Sequence, residues 1–260
     1  MKSHINHPEK RPLALIWSLI FIAPLIVLST TIFGLASAVT ALFDRQGNVV
    51  MNIARAWAGS LLMITRVHVR VEGLENIDAN ASYVFCSNHL SYMDTPVVLS
   101  HIPVHFRFLA KKGLFQIPLL GTHLSQAGHI PVPREDPRAA VKTLSKAAEI
   151  IHQRHVSVLI FPEGGRSEDG ELHPFKEGAA YIAIKAQVPL VPIALIGTRE
   201  VLPMGSIEFH SAEVRLCIGD PVPTEGLTLR DRQELTEVAY QQIAGMLGNH
   251  FARSSSPANG

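Results

Sequence analysis

Apolar positions fall into two regimes along the chain. From residue 13 to residue 43, "LALIWSLIFIAPLIVLSTTIFGLASAVTALF", no charged residue interrupts the run. As one straight helix those 31 residues would be roughly 46 Å long, against a hydrocarbon core of roughly 30 Å. A soluble core helix needs no such length, and the apolar region of a cleaved signal peptide is normally much shorter. Pro24 and Gly34 provide two places where the segment can bend. A second apolar stretch, "VVMNIARAWAGSLLMI" (49–64), carries Arg55 near its middle. Arginine at bilayer depth costs about 2.5 kcal/mol or more. This stretch reads equally as an interfacial helix with Trp57 near the headgroups and as a helix packed on a folded domain. Residues 1–66 are expected to form an N-terminal two-helix membrane anchor.

From about residue 67 the pattern changes to short apolar runs between turns and helical stretches. "HVRVEG" (68–73) alternates as a strand does and ends at a glycine. "YVFCS" (83–87), "FRFLA" (106–110), "VSVLIF" (156–161), "LVPIALIG" (190–197) and "VRLCIG" (214–219) are further predicted strands. The clearest helix is "PRAAVKTLSKAAEIIHQR" (137–154), with Asp136 as N-cap and Pro137 at the first helical position. Others are predicted over 178–186 and 230–251. Strands alternating with helices predict an α/β domain over 67–250, its sheet largely parallel. The final residues, 251–260, have the composition of a disordered tail.

Charge and cysteine usage narrow the function. The net charge of +1 argues against a general nucleic-acid binder, which carries a basic surplus. Cys86 and Cys217 each sit inside a strand-like run and read as buried thiols, with neither metal-ligand spacing nor a disulfide framework. Lys2, Lys10 and Arg11 precede the long apolar segment, and Asp44, Arg45 and Arg55 follow it, so the positive-inside count leaves its orientation open.

Three stretches carry polar groups suited to chemistry. "SNHLSYMD" (87–94) follows an apolar strand. In one reading Ser91 caps a helix and Asp94 completes a capping box. In the other, His89 takes a proton from a hydroxyl while Asp94 orients the imidazole through its second nitrogen. The two are compatible. "FPEGGRS" (161–167) follows the next strand: its glycines permit close backbone approach, Arg166 offers a planar fork for a phosphate, and Glu163 is placed to bind a hydroxyl or to orient Arg166. An ordinary turn with a surface ion pair is the alternative. "AKKGLFQIPLLG" (110–121) and "GHIPVPR" (128–134) bring Lys111, Lys112 and Arg134 near apolar surface, either as a phosphate cradle or as solvated side chains. There is no G-x-S-x-G, H-E-x-x-H, G-x-x-x-x-G-K or G-x-G-x-x-G sequence. His101 and His105 have i, i+4 spacing without further ligands and read as non-metal.

Four blocks now stand in order. "NHLSYMD" resembles the first motif of the glycerolipid acyltransferases, N-H-x-S-x-x-D; "GHIPVPR" resembles the second, "FPEGGRS" the third and "VPIAL" (191–195) the fourth. Within that family the chain most resembles the bacterial 1-acylglycerol-3-phosphate acyltransferases, over about residues 67–222 and the membrane segment ahead. Gly165 is a departure, since many members have threonine there, and it bears on which lysolipid is used. The resemblance implies the family's mixed, largely parallel sheet flanked by helices. It also implies direct transfer from acyl-CoA or acyl-carrier protein to the 2-hydroxyl of lysophosphatidic acid, giving phosphatidic acid. His89 would be the base and Asp94 its orienting partner. Arg166, with Lys111 or Lys112 and Arg134, would hold the acceptor's phosphate; Glu163 and Gly164 would shape the acceptor pocket. No metal or redox cofactor is required. The implied location is the bacterial inner membrane, with the catalytic domain facing the cytoplasm, and the membrane lipid is a partner. Two alternatives stand beside this: the same chemistry on a lyso-ornithine lipid or lysophospholipid, and a non-catalytic membrane lipid-binding protein.

Overall fold

The computed structural model describes residues 12–44, 47–118, 120–133 and 136–255. The apolar N-terminal segment is helical throughout its described length: α1 (Pro12–Trp17), a π-helical turn (Ser18–Ile22) and α2 (Ala23–Thr40). Pro24 explains the wide turn. It has no N–H to donate, and the Ala23 N–H just before it bonds to Ser18 O, five residues back. The polarity of this helix is inverted relative to a soluble one. Ser18, Ser29 and Ser37 are buried, whereas Leu25, Val27, Leu28, Ile32, Leu35 and Val39 are exposed. Ser29 bonds to Ser60 at 2.6 Å and the Phe209 N–H donates to Ser18 at 2.9 Å, so the hydroxyls face protein.

Next, α3 (Asn48–Ile64) packs one face on the domain. Met51, Ala54, Ala58 and Leu62 enter the main core, and α2 lies along its other side. Arg55 is half-buried. Its guanidinium donates to the carbonyls of Ile102, Pro103 and Val104 at 2.7, 3.3 and 2.6 Å, where the helix of residues 94–101 ends. A cation against the last carbonyls of a helix satisfies groups that otherwise lack partners.

The domain is built on seven strands: β1 (His68–Glu72), β2 (Val84–Ser87), β3 (Phe106–Lys111), β4 (Ile130–Val132), β5 (Ser157–Ile160), β6 (Leu190–Ile196) and β7 (Glu213–Ile218). Their order is β1-β7-β6-β2-β5-β3-β4, and every pair is parallel except β6 with β7. This is the mixed, largely parallel sheet the sequence predicts. Six strands were legible. The three-residue β4 was not, because Pro131 at its centre interrupts a strand pattern and is tolerated only at an edge, where β4 lies.

Both faces of the sheet are covered, which is why its central strands are continuously apolar. In β6, Val191, Ile193 and Leu195 face the α3 side, and Leu190, Ala194 and Ile196 face the other. The first layer is completed by α4 (Asp94–His101). Short α5 (Leu120–Gln126) touches α2 through a 2.7 Å bond between His123 Nδ1 and Ser37 Oγ. The second layer comprises α6 (Pro137–Arg154), α7 (Gly178–Ala186) and α9 (Arg232–Ser255); the one-turn α8 (Thr198–Val201) follows β6 and packs Val201 into the first layer's core. Asp136 caps α6 as expected, accepting from the Arg138 and Ala139 N–H groups. The expected tail begins at 251, but α9 continues to Ser255; residues 256–260 lie outside the described residues.

Candidate active site

Parallel strands β2, β3, β5 and β6 end on one edge of the sheet, and the first and third motifs leave from the ends of β2 and β5. Open α/β sheets place ligands at this edge. Asn88 extends the β2–β6 ladder one step past the strand. Its Nδ2 donates to Leu195 O at 2.9 Å, and the Leu195 N–H donates to its Oδ1 at 2.8 Å. That double bond sets where the chain turns into His89.

His89 and Asp94 meet. Nδ1 of His89 lies 2.7 Å from Oδ2 of Asp94, with the histidine 8% exposed and the aspartate fully buried. The same oxygen accepts the N–H groups of Leu90 and Ser91 at 2.7 and 2.9 Å. Ser91 accepts from the Met93 N–H at 3.1 Å and donates to Leu202 O at 2.9 Å. The carboxylate oxygen that takes these two backbone N–H groups is the one that holds the ring; Ser91 does not cap the helix that follows, whose N-cap is Met93 without a side-chain cap bond. Phe161 stacks on the imidazole at 3.9 Å between centroids, at an angle of 11°. The ring is held by one edge and one face.

The third motif grips the first. Glu163 accepts the His89 N–H at 2.7 Å on one oxygen and the His173 N–H at 3.1 Å on the other. Its burial pushes the carboxyl above its usual value, against the pull of those two donors. The Ser167 N–H donates to His89 O at 2.8 Å. Arg166 donates from Nε to Ser91 O at 3.3 Å and lies over the Tyr92 ring at 3.9 Å. Beyond it, the hydrogen bond from Ser167 Oγ holds the exposed Asp169 carboxyl down at about 2, and His173 Nε2 lies 3.0 Å from the same carboxylate.

Gly164 has φ +81, and a Cβ on it would stand 2.6 Å from Nζ of Lys176. The missing side chain therefore makes room for an ammonium. The Lys176 N–H donates to Pro162 O at 3.0 Å, which fixes the lysine beside the turn. Residue-by-residue reading missed Lys176. Its only signal was a lysine among turn residues ten positions past Arg166, and nothing in the spacing says that the chain folds back.

Lys111 and Lys112 are exposed at the end of β3, on the same edge of the sheet, and their ammonium groups bond to none of the described residues. Arg134 lies outside the described residues. Two other nucleophiles are occupied or inert. The Ser91 hydroxyl is bonded on both sides, and burial pushes the Cys86 thiol up to about 12.

Fold and site together define an α/β domain with a histidine–aspartate pair at the C-terminal edge of its sheet. Residues 68–196 match the family model described as Acyltransferase. A chloroplastic 1-acyl-sn-glycerol-3-phosphate acyltransferase of Brassica napus is 39% identical over 70% of this chain and 53% of its own length. The human 1-acyl-sn-glycerol-3-phosphate acyltransferase alpha is 31% identical over 72% of this chain and 66% of its own. Against the plant relatives matched first, the chain spans about half their length, 53% and 48%. Among solved structures, the 1-acyl-sn-glycerophosphate (LPA) acyltransferase PlsC from Thermotoga maritima superposes with a TM-score of 0.76, at 25% identity, over 90% of this chain and 97% of that one.

Proposed function

We propose that this protein transfers an acyl chain from a thioester donor, acyl-CoA or acyl-carrier protein, to the 2-hydroxyl of 1-acylglycerol 3-phosphate, giving phosphatidic acid. The observation that carries the reading is the His89–Asp94 pair in a domain whose relatives are named for this reaction. With Nδ1 engaged by Asp94, Nε2 of His89 accepts the hydroxyl proton. The alkoxide oxygen bonds to the thioester carbon, the C–S bond breaks, and the imidazolium returns its proton to the departing sulfur. Asp94 stabilises the charge that His89 carries between the two transfers. No acyl-enzyme is needed, in keeping with the buried Cys86 and the doubly bonded Ser91.

Arg166 and Lys176, flanking the diglycine turn, are the cations best placed for the acceptor's phosphate. Lys111 and Lys112 reach the same sheet edge as a second line. Glu163 acts on the site by bracing the backbone of His89.

The apolar helix points to a membrane. Ala14–Thr40 is long and apolar enough to cross one, and its outward face is apolar while its serines bond inward. In this reading residues 12–40 anchor the domain in a lipid leaflet, α3 belongs to the domain, and the site faces the side that holds the thioester donor. Purified protein supplied with labelled acyl donor and a panel of lysolipids tests the function. Preferred product from 1-acylglycerol 3-phosphate supports it. Preferred product from a lyso-ornithine lipid or a lysophospholipid replaces it with the same chemistry on another acceptor.

A further inference from the structure

The segment after β3 displays its apolar side chains outward. Leu114, Ile117 and Leu120 recur every third residue and all are exposed, Ile117 by 46%. Lys111, Lys112 and Pro118 beside them are exposed too. The backbone fixes this display. Lys112–Gln116 forms a 3₁₀ turn, the Gly121 N–H donates to Ile117 O at 2.7 Å, and a Cβ on Gly121 would overlap Phe115 O. With α5 starting hard against the turn, the three side chains are left on its outside. Single exposed leucines are ordinary; a run of them beside cations marks a surface that meets a partner.

Two neighbours identify the partner. The first is the apolar helix. His123 Nδ1 of α5 lies 2.7 Å from Ser37 Oγ of α2, and around that part of α2 Leu35, Val39, Leu42 and Phe43 are exposed, Phe43 by 83%. The apolar surface of the turn thus continues that of the helix. The second is charge of one sign. From residue 95 to residue 134 the chain contains no aspartate or glutamate, while Arg107, Lys111, Lys112 and Arg134 fall within it.

We propose that the surface of Lys111, Lys112, Leu114, Ile117 and Leu120 docks into the headgroup layer of an anionic bilayer, as a contact separate from α2. The proposal rests on the membrane and transfer readings above. A bilayer takes both parts at once: apolar side chains reach the boundary with the acyl chains, and lysine ammonium groups stay level with the lipid phosphates. A single helix holds the domain at the membrane but permits rotation about the helix axis; a second contact sets which edge of the domain faces the lipid. Here that edge is the one with the candidate active site. Lys111 ends β3, whose neighbour β5 leads into the third motif, and Phe108 of β3 stacks on Phe161 at 6.3 Å and 15°. A lysolipid in the leaflet carries its phosphate at headgroup depth, so lysines that meet bilayer phosphates stand where the acceptor's phosphate lies.

The full chain, labelled at one site, tests this. Ile117→Cys takes an environment-sensitive fluorophore; Cys86 and Cys217 are buried, so the label goes to the introduced thiol. Val238→Cys, exposed on α9, is the comparison. Each protein is bound to vesicles whose headgroups carry a quencher, and sedimentation with the vesicles reads attachment separately. On phosphatidylcholine mixed with phosphatidylglycerol, the Ile117→Cys label should be quenched about twofold or more, and less on phosphatidylcholine alone or in high salt. The Val238→Cys label should keep its fluorescence. Absence of quenching at Ile117→Cys on vesicles that do sediment the protein overturns the surface and leaves the α2 anchor. Equal quenching at both sites, or shielding of the Ile117→Cys label in a dimer without vesicles, overturns it as well. Leu114→Ser combined with Ile117→Ser and Leu120→Ser should raise the KM for acceptor in vesicles about fivefold or more, and change that for a short-chain acceptor dissolved as monomers by less than about twofold. An equal loss on both acceptors, or none, overturns the proposal. A wild-type protein that transfers no acyl chain would sink the transfer reading alone, because quenching needs no turnover.

Discussion

The backbone N–H of His89 donates to Oε1 of Glu163 at 2.7 Å, joining two motifs that stand 74 positions apart. The other oxygen, Oε2, takes the His173 N–H. A carboxylate bonded in this way acts on the reaction through the backbone it holds. We expect Glu163→Gln, which turns one acceptor oxygen into a donor facing an N–H, to lower kcat about tenfold with the acceptor KM within about twofold. Steady-state kinetics with the acceptor varied check it. A raised KM at unchanged kcat would make Glu163 an acceptor ligand instead.

His89→Ala should reduce turnover by about 100-fold or more, since a positioned general base contributes on that order. Asp94→Asn should do comparable harm: its amide oxygen can still accept from the imidazole, Leu90 and Ser91, but a neutral amide does not stabilise the imidazolium that forms during transfer. Purified variants with native thermal transitions are to be compared under saturating substrates. Near wild-type turnover from His89→Ala would remove the base from the mechanism.

Arg166→Ala and Lys176→Met should each raise the acceptor KM more than the donor KM, because a phosphate loses a charged partner. Lys176→Arg should recover part of the loss, limited by the narrow space over Gly164. The comparison to make is between 1-acylglycerol 3-phosphate and the same lipid without its phosphate. A defect equal on both acceptors would place the phosphate elsewhere.

Acid should unfold the domain partly through His129. The Phe108 N–H donates to its Nδ1 at 3.0 Å, an arrangement that needs an unprotonated nitrogen, and the ring is buried. Burial, with nearby His123 and Arg107, pushes its pKa down to about 3. An unfolded histidine titrates at about 6.5, so between the two values the unfolded chain holds a proton that the folded one lacks. Stability is therefore lost as pH falls from about 6.5 toward 3. His129→Gln retains an acceptor for Phe108 and should show a shallower fall of Tm with acid than wild type.

The apolar face of α2 can be tested by charge. Leu28→Glu combined with Ile32→Glu alters two exposed side chains and leaves the buried serines alone. The variant should shift from the membrane pellet to the supernatant after fractionation, because a carboxylate in the hydrocarbon region is costly. Unchanged sedimentation with the membranes would assign attachment to another surface.

How much of this was visible in the chain differs by element. Helix α6 was legible because Asp136, Pro137 and an apolar stripe all agree, and the structure takes those bounds, Pro137–Arg154. Six strands were legible because their alternating or continuous apolar runs reflect burial on one or both faces. β4 was hidden, since three residues around Pro131 hold too little pattern. The pairing of His89 with Asp94 could be read from sequence because a five-residue turn is local. Segment 49–64 could not be decided locally: Arg55 fits a headgroup region as well as it fits three carbonyls 47 to 49 residues away.

Local sequence by itself determined the helices and strands that bury a periodic apolar face, the long uncharged N-terminal run, and the turn that brings an aspartate to a histidine. Those features depend on dihedral preferences and on neighbours within a few residues. Tertiary structure alone decided that Glu163 holds the backbone of His89, that Lys176 lies over Gly164, and that the serines of α2 point inward. The first depends on β2 and β5 being adjacent in space while distant in the chain, the second on the loop after β5 folding back on itself, and the third on α2 packing against α3 and α5. Parallel strands require long crossovers, so β2 and β5 deliver their motifs side by side only after some 70 intervening residues have folded between them.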